Sequence, residues 1–311
     1  MRVLHGLDDV PDSARGAVLA IGNFDGVHRG HQALLAAAAE TGRQLGRPSG
    51  VMVFEPHPRE FFHPQEPHFV LSPLPQKLKL LEDLGSKIAV ILPFDAALAG
   101  MPADDFIGRI LVEKLGVAHV VIGYDFFFGK GRGGTPDTMR EAGERLDFGV
   151  TIVAPVAEDG EVFSSSAIRL RLAQGDVRGA AHDLGRWWRI AGKVVGGARR
   201  GTLLGFPTAN VPLRRGTALG HGIYAVRAWL DGTAYDAAAY LGTRPTFDDG
   251  MPVLEVFLFD FDGDLYGREI EVEFIDFIRP DRKFESPDAL TAQMAQDCED
   301  ARTILAAMRK P

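Results

Sequence analysis

The sequence predicts a parallel α/β domain followed by a small antiparallel β-barrel with a carboxy-terminal helix, and three observations carry that reading. From the start to about residue 180, short apolar runs alternate with helical segments, the signature of a parallel sheet wrapped by helices on both faces. After about residue 186, alternating aromatic and β-branched runs are broken by glycine and proline, which suits a barrel or meander. At 311 residues the chain is too long for one typical small domain and suits two. The rhythm changes near Asp183 to Arg186, so the expected domains are 1–183 and 184–311.

In chain order, the apolar runs Val18 to Phe24, Val51 to Phe54, Ile88 to Phe94, His119 to Tyr124 and Val150 to Val156 are the expected strands of the first half. Between and after them, Gln32 to Leu45, Gln76 to Leu84, Ala103 to Leu115, Pro136 to Leu146 and Ala167 to Ala173 have helical composition and spacing. The second half offers strands at Trp188 to Val195, Gly222 to Leu230, Tyr235 to Leu241, Val253 to Phe261 and Glu269 to Phe277. Asp231-Gly232, Asp249-Gly250 and Asp262-Gly263 are hairpin signals. Ser286 is a good amino-terminal cap for a closing helix from Pro287 to about Met308.

Composition narrows the function. The 46% hydrophobic and 24% charged fractions are those of an ordinary globular protein, with no bilayer-length apolar stretch and no signal-peptide pattern at the amino terminus. A cytoplasmic protein without a membrane partner is the expectation. A net charge of −8 argues against a broad nucleic-acid surface, so any phosphate is met locally. The pairs Arg199-Arg200 and Arg214-Arg215 read as solvated loop residues. One cysteine, Cys298, excludes an internal disulfide framework and a cysteine-rich zinc site, and reads as a packed or partly exposed helix residue.

Four clusters carry chemistry. The run Gly22-Asn23-Phe24-Asp25-Gly26-Val27-His28-Arg29-Gly30-His31 stands where the first long strand turns into a helix. That edge of an open α/β sheet is where ligands bind, and a helix amino terminus offers N–H groups to phosphate. Two histidines three apart can point their imidazoles to one side, towards one phosphate. They could also ligate a metal, with Asp25 or His57 as third donor. Phe54-Glu55-Pro56-His57-Pro58-Arg59 follows the next strand on the same edge, and its flanking prolines disfavour helix there. The loop from Gly123 to Gly134 places Lys130 and Arg132 among glycines, with aromatics that suit a core. Its formal GxGxxG at Gly129, Gly131 and Gly134 is a weak dinucleotide signal, since such a fingerprint belongs at the first strand-to-helix turn and this one comes late in the α/β half. Finally, Ser164-Ser165-Ser166 at a helix start, with Arg169 one turn on, can cradle a triphosphate.

Together these clusters resemble the bifunctional riboflavin kinase/FAD synthetase family over nearly the whole chain. The resemblance implies a Rossmann-like nucleotidyltransferase domain that adenylylates FMN, followed by a riboflavin kinase barrel. It implies riboflavin, FMN, FAD and ATP as ligands, with ATP as co-substrate and Mg²⁺ as cofactor. His28 and His31 would contact ATP phosphates with Arg169. Gly22, Asn23, Phe24, Asp25, Asp125, Ser164, Ser165 and Ser166 would line the nucleotide site, and His57, Pro58 and Phe62 the flavin end. In the barrel, Leu204-Gly205-Phe206-Pro207-Thr208-Ala209-Asn210 is similar to the kinase motif whose Thr208 and Asn210 would hold Mg²⁺ and phosphate. Glu255 would be the general base on the ribityl hydroxyl, and Arg279 would lie at the flavin. Gly242-Thr243-Arg244-Pro245-Thr246 and Asp264-Leu265-Tyr266-Gly267 also fit.

The barrel departs from the family pattern at Tyr240, where asparagine is usual, at Phe257, where histidine is usual, and at Thr202, where arginine is expected. Two alternatives stay open on the sequence: an FAD synthetase whose barrel only binds flavin, and a dinucleotide-dependent oxidoreductase built on the late GxGxxG.

Overall fold

Six strands form an all-parallel sheet in the order β1-β4-β3-β2-β5-β6: β1 (Arg2–His5), β2 (Val18–Ile21), β3 (Ser49–Glu55), β4 (Ile88–Pro93), β5 (His119–Gly123) and β6 (Gly149–Val153). The computed structural model describes residues 1–196, 206, 208–243 and 252–308, without the side chains of 243 and 252. Arg199-Arg200, Thr202, Leu204-Gly205, Pro207, Arg244-Pro245-Thr246 and Asp249-Gly250 therefore lie outside the described residues.

Alternate residues of the strands feed two cores, as the twofold side-chain period of a strand requires. Leu19, Ile21, Met52, Val90, Val120 and Ile122 pack on one face against Ile107, Leu111 and Met139. Val18, Ala20, Val51, Val53, Ala89 and Val121 pack on the other against Leu35, Ala38 and Leu81. The helices are α1 (Arg29–Leu45), α2 (Pro58–Phe62), α3 (Leu74–Asp83), α4 (Ala96–Ala99), α5 (Ala103–Asp105) and α6 (Pro136–Leu146). From β2 the chain steps outward to β3 and β4, then returns to the other side of β2 for β5. The reversal creates a crevice at the carboxyl ends of β2 and β5, where doubly wound sheets bind ligands.

Several expected elements change in detail. β2 stops at Ile21 because Phe24 takes a left-handed backbone (φ 49), which no strand accommodates. The helix expected over Ala103 to Leu115 becomes a wide π-helix across Phe106–Lys114, burying Phe106, Ile107, Ile110 and Leu111. α2 starts at Pro58 despite the prolines around His57, since the first helical position needs no N–H. Edge strand β1 was too short and mixed for its pattern to stand out.

Ser165 closes the first compact unit, Met1–Ser165; the second is Ser166–Pro311. This division falls at the start of α7 (Ser165–Ala173), ahead of the expected boundary at 183/184. The helix α8 (Val177–Leu184), absent from the sequence reading, packs on the barrel, where Arg178 pairs with Asp276 at 2.7 Å.

The barrel strands run β10-β13-β12-β11-β14-β9, all antiparallel: β9 (Arg189–Lys193), β10 (Ala209–Pro212), β11 (Gly222–Leu230), β12 (Thr233–Thr243), β13 (Pro252–Leu258) and β14 (Glu269–Pro280). A bridge from Val195 to Asn210 nearly closes the ends. Tyr224, Ala239 and Val256 fill one row of the interior, all buried. Ala225, Ala238, Phe257 and Phe259 face outward and are covered by Ala301 and Leu305 of α9 (Pro287–Ala307), capped as expected by Ser286. Asp231-Gly232 makes the tight β11–β12 turn, with φ of 47 and 82. Asp262-Gly263 joins β13 and β14, which are not neighbours, so it is no hairpin turn.

Candidate functional site

In the first unit, the turn after β2 is strained and deeply anchored. Phe24 and Val27 both adopt positive φ (49 and 44), a conformation that costs a side-chain-bearing residue about 1–2 kcal/mol. Asp25 offsets part of that cost. Its carboxylate is buried and accepts the backbone N–H groups of Leu71 (3.1 Å) and Ser72 (3.0 Å), while Ser72 Oγ accepts from Gly26 N at 2.8 Å. Asp25 is thus held by its own protein's backbone, and it braces the turn in which the sequence placed it. Ser72 and its loop escape sequence reasoning because nothing local pairs positions 46 and 47 residues apart.

The turn presents two imidazoles side by side. His28 caps α1, its Nδ1 accepting from His31 N at 3.4 Å, and the two rings stack with centroids 3.7 Å apart. With Nδ1 an acceptor, Nε2 is the donor nitrogen of neutral His28. Phe24 backs His31, ring centroids 5.1 Å apart. A Cβ on Gly30 would meet the His28 ring at 3.0 Å and the Phe163 carbonyl at 3.3 Å, so the residue between the histidine rings and that carbonyl has to be small. Gly22 and Asn23, both half-buried, lead into this turn. Ser165 joins it by donating to the Asp25 carbonyl at 2.9 Å. Ser164 is half-buried beside it, and Ser166 and Arg169 lie on α7.

Asp125 is exposed just past β5, on the other side of the crevice. The glycines of the following loop have packing reasons. A Cβ on Gly129 would lie 2.7 Å from Ala103 N, and one on Gly134 would lie 2.7 Å from the Phe128 ring. The loop follows the fifth strand and closes on itself through paired Phe128 and Gly134, with Arg132 over Phe127 at 4.9 Å. It is no dinucleotide cradle.

At the end of β3, His57 caps α2 by accepting from Arg59 N at 3.1 Å and packs on buried His68, centroids 4.6 Å apart. Phe61, Phe62 and Phe94 form an edge-to-face cluster, and Phe62 is 59% exposed. An aromatic left in water beside Pro58 is a ready platform for a planar ring. His68 and Phe94 were not singled out from sequence; Phe94 ends an ordinary apolar strand, and only the fold reveals its neighbours. Among the described residues no group of three or more His, Cys, Asp or Glu could hold a metal, so the third-donor reading of Asp25 or His57 falls.

In the second unit, register assembles the barrel site. Asn210 pairs with Glu255, Glu255 with Tyr240, Tyr240 with Ile223 and Ile223 with Arg279, one row across five strands. Cross-strand partners share a face, here the outer face that α9 covers further along. Thr208 Oγ1 donates to Glu255 Oε2 at 3.4 Å, and Asn210 is buried. A hydroxyl, an amide and a carboxylate together are hard oxygen donors of the kind Mg²⁺ takes. Tyr240 donates to Asp281 at 3.1 Å, and its ring lies over Gly242, where a Cβ would meet its hydroxyl at 1.9 Å. Phe257, in place of the usual histidine, packs against Phe206 and Phe259.

Arg279 grips buried Asp297 of α9 through two hydrogen bonds of 2.7 and 2.6 Å. Its guanidinium fastens the helix, and the sequence could not reveal this because Asp297 lies on an element with no local tie to β14. Arg279→Ala strands a buried carboxylate, so it is expected to destabilise the barrel by about 3–5 kcal/mol, read as a fall in the denaturant midpoint. Burial, with Asp297 next to it, pushes the thiol of neighbouring Cys298 up to about 11, which disfavours the thiolate.

Comparison with known proteins matches residues 10–167 to the FAD synthetase family and 184–305 to the riboflavin kinase family. The chain is 41% identical over 307 residues to the bifunctional riboflavin kinase/FMN adenylyltransferase of Pseudomonas fluorescens, covering 98% of both chains. It is 41% identical to that of Escherichia coli K12, over 97% of this chain and 96% of that one. The Bacillus subtilis protein of the same name is 35% identical over 100% and 99%. A crystal structure described as a macrolide-efflux protein from Streptococcus pneumoniae superposes with a TM-score of 0.86 at 30% identity, over 97% of this chain and 99% of that one. Among the described residues no helix is long and apolar enough to cross a membrane.

Proposed function

The chain belongs to the bifunctional riboflavin kinase/FMN adenylyltransferase family, and from that premise we propose how its two sites divide the chemistry. The enzyme phosphorylates riboflavin with ATP to give FMN, and transfers AMP from a second ATP to FMN to give FAD and pyrophosphate. We assign the second reaction to a module spanning 1–183 and the first to 184–311. The observation that carries the first assignment is the stacked pair His28 and His31 at the topological switch point of the sheet.

Adenylyl transfer needs no protein nucleophile. The FMN phosphate attacks the α-phosphorus of ATP in line, and the protein's task is alignment and neutralisation of charge. His28 and His31 donate from the start of α1, whose amino-terminal dipole adds to the field, while Ser164, Ser166 and Arg169 hold the outer phosphates. Gly22, Asn23, Phe24 and Asp125 shape the nucleotide side, with Asp25 and Ser165 holding the turn. His57, Pro58 and Phe62 receive the flavin.

In the kinase module Glu255 takes the proton of the ribityl hydroxyl as that oxygen attacks the γ-phosphorus. Thr208 and Asn210 would hold Mg²⁺, which supplies neutralisation of the phosphate charge. Arg279 stands on the flavin side, where its guanidinium also fixes α9. ATP as the shared co-substrate supports a cytoplasmic setting, with no nucleic-acid or membrane partner required.

Incubation with riboflavin, ATP and Mg²⁺, with FMN and FAD resolved over time, tests the whole reading. FMN should rise first and FAD follow; FAD from supplied FMN with no FMN from riboflavin would leave a single-activity synthetase. Tyr240→Phe removes one hydrogen bond beside the kinase row, so kcat/KM for riboflavin should fall about fivefold, the equivalent of about 1 kcal/mol. An unchanged value would show that the Asp281 contact does not serve the kinase.

A further inference from the structure

Arg29 stands between the two histidine positions, on the same strand-to-helix turn. It occupies the first helical position of α1, where the helix dipole disfavours a cation. A residue that violates a local rule beside a site is held there by something else. Its guanidinium bonds Glu158 at 2.7 Å and lies over the Phe163 ring at 5.4 Å.

Both partners belong to the segment that delivers Ser164 and Ser165. It is a two-stranded hairpin, β7 (Ala157–Glu158) and β8 (Glu161–Val162), turning at Asp159 and Gly160 with φ of 51 and 84. All four strand residues are exposed, and so short a hairpin has little stability alone. Its base is closed by Phe163 N to the Val156 carbonyl at 3.1 Å. Its ties to the histidine turn include the Arg29 contacts, the Ser165 bond to the Asp25 carbonyl, and the close approach of the Phe163 carbonyl to Gly30.

We propose that Arg29 and Glu158 form a clamp that holds the serine segment in register with the histidine turn. Both are positioning residues for ATP in FMN adenylylation. The proposal rests on the reading of Ser164 and the two histidines as triphosphate contacts. Ser165, whose hydroxyl donates to the Asp25 backbone carbonyl, serves the same clamp.

The test is FMN adenylylation at saturating FMN with ATP varied, for the full chain and for Arg29→Ala, Glu158→Ala and the charge-swapped Arg29→Glu/Glu158→Arg. Each single variant should raise KM for ATP about three- to fivefold, the range of an exposed ion pair, with little change in kcat. The swapped pair should recover at least half of the loss, and high salt should shrink the difference between parent and variants. Riboflavin phosphorylation by the same chains should be unchanged, which excludes general misfolding. If Glu158→Ala lowers KM while Arg29→Ala raises it, Arg29 touches the nucleotide directly and the clamp is overturned. Variants that match the parent also overturn it. If His31→Ala retains adenylylation, the underlying site reading fails instead, an outcome distinct from either.

Discussion

His31→Ala is expected to lower kcat/KM for FAD formation from FMN by about two to three orders of magnitude, the usual loss when one preorganised donor to a developing anion is removed. Riboflavin phosphorylation by the same protein should be unaffected, which gives every preparation an internal control. His31 is the cleaner of the two histidines to change. His28 also caps α1 through its Nδ1, so His28→Ala adds a cap loss of about 1 kcal/mol to any catalytic effect. His28→Asn separates the two, since asparagine caps well but supplies no imidazole. Its FAD synthesis should be as low as that of His31→Ala, with a melting temperature near the parent's. Near-normal FAD synthesis by His31→Ala would end the assignment of this turn to the phosphates.

Glu255→Gln should reduce riboflavin phosphorylation by about 10²- to 10⁴-fold, because the amide cannot accept the ribityl proton. The substitution keeps shape, so the row from Asn210 to Arg279 should stay assembled and the far-ultraviolet spectrum should not move. FAD formation from supplied FMN should persist. FMN formation from riboflavin within tenfold of the parent would remove Glu255 from the role of base and leave the barrel's proton acceptor unassigned. The tyrosine at 240 does not obstruct this expectation, since its hydroxyl is bonded to Asp281 and its ring lies over Gly242.

Much of the molecule is legible in its sequence. The β2 to α1 turn was legible because strand, turn and helix are contiguous, and because His28 and His31 act through spacing along one helix start. The Asp231-Gly232 hairpin was legible for the same reason. Asp262-Gly263 has the same composition, but the strands it joins pair elsewhere, and that is decided by the remaining strands. The sequence does not distinguish the π-helical stretch from Phe106 to Lys114 from α-helix, because its apolar spacing serves either winding.

By itself, then, the sequence determined the succession of a parallel α/β half and an antiparallel barrel, and the residue types gathered at each strand end. Those properties follow from local periodicity and turn chemistry. Only the tertiary structure decided that Asp25 braces the turn through Leu71 and Ser72, and that Arg279 serves Asp297. It also decided that Asn210, Glu255 and Tyr240 share one row. Each of these is a pairing between distant segments, set by strand order and register, and a one-residue slip in register would turn the same side chains to the opposite face.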